Sequence, residues 1–207
     1  MPSTAVVRRY IKPALFVACL VPALLVTLKA FNIGGDLGAN AVETVQDTMG
    51  QWGLRLLLIT LAITPLRDWF NAPWLVQLRR MLGLFAFFYL AMHFLNWLIL
   101  DQGLYWSGIV ADIAKRPFIT IGFLALLLLI PLAVTSTNGW MRRLGKRWKK
   151  LHRLIYAIVL LGVWHYWWQV KADIREPLLY LSIAVVLLGW RVWKARVKRP
   201  PVSVNAT

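Results

Sequence analysis

The sequence LHRLIYAIVLLGVWHYWW, at residues 151–168, is an apolar segment of membrane-spanning length with a histidine near each end. His152 follows a basic loop, and His165 lies in an aromatic cluster. The third histidine of the chain, His93, also lies in an apolar segment. Ionisable side chains are costly within a membrane span, so they mark candidate functional sites. Because neutral imidazole is the usual ligand of haem iron, the histidines indicate haem chemistry in a membrane.

The composition supports a membrane protein. Hydrophobic residues make up 59% of the chain and the mean hydropathy is +0.61, which exceeds what a soluble domain carries. The net charge of +16 comes from basic residues between apolar runs, a pattern typical of membrane topology rather than of nucleic-acid binding. The single cysteine, Cys19, excludes an internal disulfide and a cysteine-ligated iron–sulfur cluster. We therefore expect a multi-pass membrane protein in contact with lipid.

Six apolar runs predict an all-α bundle of six transmembrane helices that forms one domain over the whole chain. The predicted spans are residues 13–33, 52–66, 81–100, 117–134, 152–168 and 177–193. Segments rich in Lys and Arg alternate with acidic or neutral loops, so the positive-inside rule predicts that both termini are cytoplasmic. Residues 198–207 are predicted to form a disordered tail.

The histidines of spans three and five are predicted to lie at the same depth. His93 and His165 each follow the cytoplasmic boundary by about twelve or thirteen residues, which at about 1.5 Å per residue places both roughly 18–20 Å from it. Two imidazoles at one depth could ligate a single haem iron, and such a six-coordinate iron favours electron transfer. His152 lies roughly 20 Å from His165 and could hold a second redox centre. On a straight helix, however, the two would point some 140° apart, at about 100° per residue.

The three histidines also allow other roles. A histidine in a span can simply hydrogen-bond to a neighbouring helix, and His152 can sit half-solvated at the membrane surface. A proton relay or transport role is a further alternative. No predicted span contains Asp or Glu, however, and this absence counts against transport.

Several basic residues are weaker candidates for cofactor binding. Arg55 lies near the outer end of span two, where it could pair with a haem propionate or extend to the membrane surface. Arg79 and Arg80 could bind an anionic cofactor on the cytoplasmic side, as could Lys146 and Arg147. For these four residues, a role as topology determinants near lipid phosphates is the stronger explanation.

Three runs in the chain resemble a known family. They are TSTNGWMRRLGKRWKKLHRLIY at 135–156, TPLR at 64–67 and RRMLGLFAFFYLAMHF at 79–94. They resemble the MsrQ family, the haem-binding membrane subunits of bacterial methionine sulfoxide reductase systems. The resemblance extends over nearly the whole chain. This family belongs to the ferric reductase-like transmembrane superfamily, which includes the NADPH oxidases.

The resemblance implies haem b and FMN as cofactors, and the quinone pool or a cytoplasmic flavin reductase as electron donor. It implies MsrP as the partner, a periplasmic molybdopterin enzyme that reduces methionine sulfoxide in damaged proteins. It assigns the haem iron to His93 and His165, and also to His152. The chain would then be an electron-transfer subunit rather than the catalytic one. The outer loops that would receive MsrP are residues 34–51, 101–116 and 169–176.

The chain departs from the superfamily pattern in one respect. That pattern has two histidines on each of spans three and five, spaced as His152 and His165 are. In span three the inner position falls at Arg79 or Arg80, so a conventional bis-histidine inner haem cannot form. Either that haem uses another ligand, or a flavin occupies the inner site, and we favour the flavin.

Two further functions stay open at this point. The chain could be a cytochrome b anchor for another periplasmic oxidoreductase, or a cofactor-free transporter or assembly factor. A Soret band that shifts on reduction would distinguish either redox function from the cofactor-free one.

Overall fold

The structure, a computed structural model, describes residues 2–170 and 173–197, and all regular structure within these ranges is helical. The predicted tail at 198–207 lies outside the described residues. The helices are α1 (Lys12–Ala30), α2 (Ala41–Trp69), α3 (Arg79–Asn96), α4 (Trp106–Lys115), α5 (Pro117–Val134), α6 (Asn138–Leu144), α7 (Lys146–Leu151), α8 (Ile155–Gln169) and α9 (Arg175–Val197). Shorter helical segments adjoin several of these helices. Thr4–Val6 and Val7–Ile11 precede α1, Pro73–Leu78 precedes α3, Trp97–Asp101 follows α3, and His152–Leu154 joins α7 to α8.

Five helical segments of the described chain are long and apolar enough to cross a membrane. They contain four of the predicted spans in full and the first one, 13–33, as far as Ala30, where the helix ends. The all-α, multi-pass prediction is therefore confirmed. The predicted span at 152–168 corresponds to α8, which has 15 residues. The exact number of spans and the side on which the termini lie therefore stay predictions.

Helix α2 lies at the centre of the bundle. Half of the residues in its most apolar 18-residue stretch are buried, and Leu57 and Leu61 are almost fully enclosed. It begins earlier than the sequence indicated, because Asn40 accepts a hydrogen bond from the backbone N–H of Glu43 and donates one to its carboxylate. The prediction of a loop at 34–51 was therefore wrong from Ala41 onward.

Two other predicted loops contain helices. The 101–116 loop includes α4, whose polar face and exposed aromatic residues suit a position at the membrane surface. The basic 142–150 segment contains parts of α6 and α7, separated at Gly145, which has a φ of 48°. Sequence periodicity missed these helices because they are short, and their single apolar stripes lie outside any span.

The predicted fifth span, 152–168, begins in a short turn rather than in regular α-helix. His152 lies in the turn His152–Leu154 rather than in α8, which starts at Ile155. This turn breaks the regular helix between His152 and His165. The angle of a straight helix therefore does not apply to this pair.

Helix α1 is fixed to the bundle by one buried hydroxyl group. Pro22 lies within α1, and the Tyr89 hydroxyl of α3 accepts from the N–H of Ala23 at 3.1 Å and donates to the carbonyl of Cys19 at 2.6 Å. The side chain thus inserts between two backbone groups that an uninterrupted helix would pair directly. Tyr89 has no exposed surface.

Two helix pairs position the site. Helix α2 packs mainly against α3, and α5 packs mainly against α8. Contacts between α3 and α5 and between α2 and α8 join the pairs into a four-helix arrangement. His93 comes from α3 and His165 from α8, so each pair supplies one imidazole to the interior of this arrangement.

Candidate functional site

The structure brings His93 and His165 together. Their ring centroids lie 6.1 Å apart, and the ring planes are inclined by 84°. Bonds from a metal to an imidazole nitrogen are about 2 Å long, so two rings that share one metal have centroids roughly 6 Å apart. The separation therefore suits two imidazoles that would hold one metal ion between them.

Backbone hydrogen bonds fix the protonation of both rings. His93 Nδ1 lies 2.9 Å from the carbonyl oxygen of Gln46, and His165 Nδ1 lies 2.7 Å from that of Phe118. A carbonyl can only accept, so each Nδ1 carries the proton and each Nε2 keeps its lone pair. Consistent with this, the side-chain amide of Gln46 donates to His93 Nε2 at 3.3 Å. A hydrogen bond from the second ring nitrogen to a carbonyl is the usual support of a metal-ligating histidine.

Both imidazoles line two adjoining cavities, of about 400 and 80 Å³. The larger volume is within the usual range for small-molecule sites, about 300–1,000 Å³. Its lining includes the polar or charged side chains of Asn40, Glu43, Asp101 and Arg116. The smaller has an aliphatic wall that includes Leu54, Leu57, Leu90 and Ile158. An apolar region beside a polar one fits a porphyrin, which has an apolar ring and two carboxylates.

The arginine predicted to meet a propionate lies beside these cavities. Arg55 donates to the Tyr180 hydroxyl at 2.7 Å and to Gln51 at 3.0 Å, and it lines neither cavity itself. Arg116, which lines the larger cavity and pairs with Asp112 at 3.3 Å, was missed because it lies at the end of a predicted loop. Asp47 lines the smaller cavity. The long α2 therefore brings two acids, Glu43 and Asp47, to the cavities of the histidines, and both precede the predicted span at 52–66.

His152 lies in a separate group of side chains, and it lines neither cavity. Its Nε2 is 3.0 Å from the Thr135 hydroxyl, which donates its own proton to the Pro131 carbonyl and so accepts from His152. The ring stacks on Trp148, with centroids 3.9 Å apart. His152 therefore carries its proton on Nε2, whereas His93 and His165 carry theirs on Nδ1.

The predicted basic residues of the cytoplasmic side fall into two environments. Arg80 donates to the Asn138 side chain at 2.8 Å, so it reaches the same end of α5 as His152. Arg79 precedes it at the start of α3. Lys146 and Arg147 are exposed on α7.

Sequence reasoning missed the residues that support the two imidazoles. Gln46 and Phe118 act through backbone carbonyls, which any residue type supplies, so their identity gave no signal. Gly50 lies one helical turn after Gln46, and Gly122 lies one turn after Phe118. Each glycine packs directly against the imidazole ring that its helix supports. One signal was present, since each histidine follows its carbonyl partner by 47 residues.

With this geometry in view, the chain was compared with known proteins. A family described as "Ferric reductase like transmembrane component" matches residues 49–163, more than half of the chain. The chain belongs to this family. Several curated relatives carry the name "Protein-methionine-sulfoxide reductase heme-binding subunit MsrQ". One, from Xanthomonas axonopodis pv. citri, is 50% identical over 99% of this chain and 95% of its own length.

Two other MsrQ relatives agree. One from Xanthomonas campestris pv. campestris is 54% identical over 88% of this chain and 86% of its own length. One from Bordetella pertussis is 50% identical over 94% of this chain and 96% of its own length. No solved structure matches the chain significantly. Within the ferric reductase-like proteins the chain is thus an MsrQ family member, a multi-pass protein of the bacterial inner membrane with an electron-transfer role.

Proposed function

We propose that the chain is the haem b subunit of a methionine sulfoxide reductase system, in which His93 and His165 would both hold one haem iron. The observation that carries this proposal is the pair of imidazoles, 6.1 Å apart, whose Nδ1 protons are held by backbone carbonyls. When bound, the haem accepts and releases one electron at a time. The protein supplies both ligands, orients them and excludes water from the apolar side of the site.

The haem carboxylates would lie at the polar end of the cavities. Arg116 lines the larger cavity and is the first candidate to pair with a propionate. Arg55 remains a candidate through Gln51, which lines the smaller cavity and accepts its hydrogen bond. The same polar end is also lined by Asn40, Glu43 and Asp101. Because two of these residues are carboxylates, a propionate that faced them would be protonated or separated from them by water.

We further propose six spans, with α8 as the fifth and both termini in the cytoplasm. Helix α8 is continued at its start by the turn His152–Leu154 and by α7, so the helical chain there is longer than α8 alone. The basic residues of α6 and α7 are then cytoplasmic, as the positive-inside rule requires. The two haem ligands lie toward the periplasm, and His152 lies toward the cytoplasm.

The cytoplasmic group is proposed as the entry point for electrons. His152 and Arg80 meet at one end of α5, with Trp148 stacked on the imidazole. A flat aromatic ring and nearby cations suit a flavin such as FMN, whose phosphate could reach Arg79 or the exposed Lys146 and Arg147. A cytoplasmic flavin reductase or the quinone pool would supply the electrons there.

Electrons would leave on the periplasmic side to an MsrP-type molybdopterin enzyme, which carries out the reduction of methionine sulfoxide. Its docking surface would comprise the outer segments around α4 and the connections at 31–40 and 169–176, of which 171 and 172 lie outside the described residues. In membranes that lack this chain, MsrP-dependent reduction of methionine sulfoxide should stop. Unchanged reduction would favour a cytochrome b anchor of another oxidoreductase.

The haem ligands are tested by substitution. In protein purified from haem-replete cells, His93→Ala and His165→Ala should each remove the same low-spin haem signal in absorption and electron paramagnetic resonance spectra. The two residues share one iron, so the double variant should lose no more than either single variant. If His93→Ala and His165→Ala each removed a different haem signal, the two rings would bind different irons. A wild-type protein without a Soret band would refute the haem proposal altogether.

A further inference from the structure

The supports of the two haem ligands have the same spacing along the chain. On α2, the Gln46 carbonyl is followed four residues later by Gly50, and both contact His93. On α5, the Phe118 carbonyl is followed four residues later by Gly122, and both contact His165. The intervals from 46 to 118, from 50 to 122 and from 93 to 165 are the same, 72 residues.

Each glycine is required by the closeness of an imidazole. A Cβ atom at Gly50 would lie 2.8 Å from His93 Nδ1 and 3.0 Å from its Cε1. A Cβ atom at Gly122 would lie 2.8 Å from both Nδ1 and Cε1 of His165. In both cases the three nearest atoms belong to the ring alone. A methyl group at either position would therefore collide with the imidazole ring around Nδ1, the nitrogen that forms the hydrogen bond.

The ring cannot easily move away from such a collision. Its Nδ1–H is directed at a carbonyl on the same helix as the glycine, at 2.9 Å for His93 and 2.7 Å for His165. Moving the ring outward would lengthen this hydrogen bond and leave the Nδ1–H without an acceptor in an apolar environment. It would also displace Nε2, the atom that faces the metal in the proposed function.

We propose that Gly50 and Gly122 are positioning residues in two copies of one ligand-holding unit. Each unit consists of a helix with a carbonyl and a glycine one turn apart, and a partner helix with the histidine. The α2–α3 pair is one copy and the α5–α8 pair is the other. The inference deepens the proposed function and rests on it for the identity of the metal group, but the ring–glycine contact exists without any cofactor.

The 72-residue correspondence does not extend to the cytoplasmic histidine, His152. The position 72 residues before His152 is occupied by Arg80. The two side chains differ in chemistry and meet different partners at the end of α5, Asn138 for Arg80 and Thr135 for His152. The duplicated unit thus provides one symmetric metal site, at the level of His93 and His165.

The first test measures haem content. Gly50→Ala and Gly122→Ala should each lower the haem bound per protein about tenfold or more, in line with the roughly 10–100-fold cost of disturbing the support of a metal ligand. Gly189→Ala is the matched control, because a Cβ at this position in α9 meets nothing within 4 Å. It should keep the wild-type haem content and low-spin spectrum. Normal haem content and spectrum in both Gly50→Ala and Gly122→Ala would overturn the proposal.

The second test needs no haem. In haem-free protein, Gly50→Ala should lower the apparent Tm by several degrees, but in a His93→Ala background the same change should be neutral or stabilising, because the ring is gone. The reciprocal pair is Gly122→Ala with His165→Ala. If Gly50→Ala fails to fold while Gly50→Ala/His93→Ala folds, the steric origin is supported. Equal destabilisation in both backgrounds, or failure of both to fold, would overturn it.

The two tests separate this inference from the function on which it rests. If the wild-type protein binds no haem, the proposed function fails, while the haem-free comparison still decides whether each glycine serves to admit its ring. If the wild type binds haem but the glycine and histidine changes are additive, the function stands and the positioning role is wrong.

Discussion

Tyr89→Phe tests how the first helix is held to the bundle. The change removes one hydroxyl group that bonds both the N–H of Ala23 and the carbonyl of Cys19. Side-chain hydrogen bonds within membranes contribute about 0.6 kcal/mol on average and about 1.7 at most, and an unsatisfied buried polar group costs about 1–3 kcal/mol. Helix α1 can recover part of this cost if the N–H of Ala23 moves to bond the Cys19 carbonyl directly. We therefore expect a loss of about 1–3 kcal/mol in the free energy of unfolding.

The measurement is reversible unfolding of the purified protein in mixed micelles, monitored by circular dichroism. Tyr105→Phe is the matched control, because the Tyr105 side chain is 69% exposed and its loss of a hydroxyl should change the free energy by less than about 0.5 kcal/mol. Haem bound per folded protein should stay unchanged in Tyr89→Phe, since Tyr89 lines neither cavity. Equal stabilities of the two variants would refute the reasoning that the hydroxyl bridges α1 to α3.

Two further predictions address the cytoplasmic group and the start of the central helix. His152→Ala should leave the low-spin haem signal largely intact and lower any flavin retained after purification, measured by optical spectroscopy of the same sample; loss of the haem signal would contradict separate sites. Asn40→Ala should destabilise the protein by about 0.5–2 kcal/mol because the first turn of α2 loses its cap, whereas Asn40→Ser keeps an acceptor oxygen and should cost less in the same unfolding assay. Equal losses from both substitutions at Asn40 would show that the cap is not what stabilises this turn.

The spans were predictable because the membrane imposes a length and a polarity on them. The fourth predicted span, 117–134, coincides with α5, whose first residue is Pro117 and whose C-cap is Thr135. The prediction failed where helices leave the apolar window. Helix α2 extends 11 residues before the predicted start at 52, because a capped polar turn continues the helix beyond the apolar run. Hydropathy contains no information on such an extension.

The candidate site was predictable only in its ligands. His93 and His165 were singled out because an imidazole in a span is rare and costly, and the structure places their rings 6.1 Å apart. Their assignment to a haem iron stays a prediction. The carbonyls of Gln46 and Phe118 could not be found by residue type, because every residue has a carbonyl and only the packing of helices decides which one an Nδ1–H meets.

The sequence by itself determined that this is a multi-pass helical membrane protein with imidazoles inside its spans. Hydropathy and charge act locally, residue by residue, so the spans can be predicted without knowing how the helices pack. Tertiary structure alone decided that the two imidazoles share one cavity while His152 lies in a different group, and that Gly50 and Gly122 admit the rings. These relations depend on how four helices approach one another, and that approach is fixed by contacts between residues far apart in the chain.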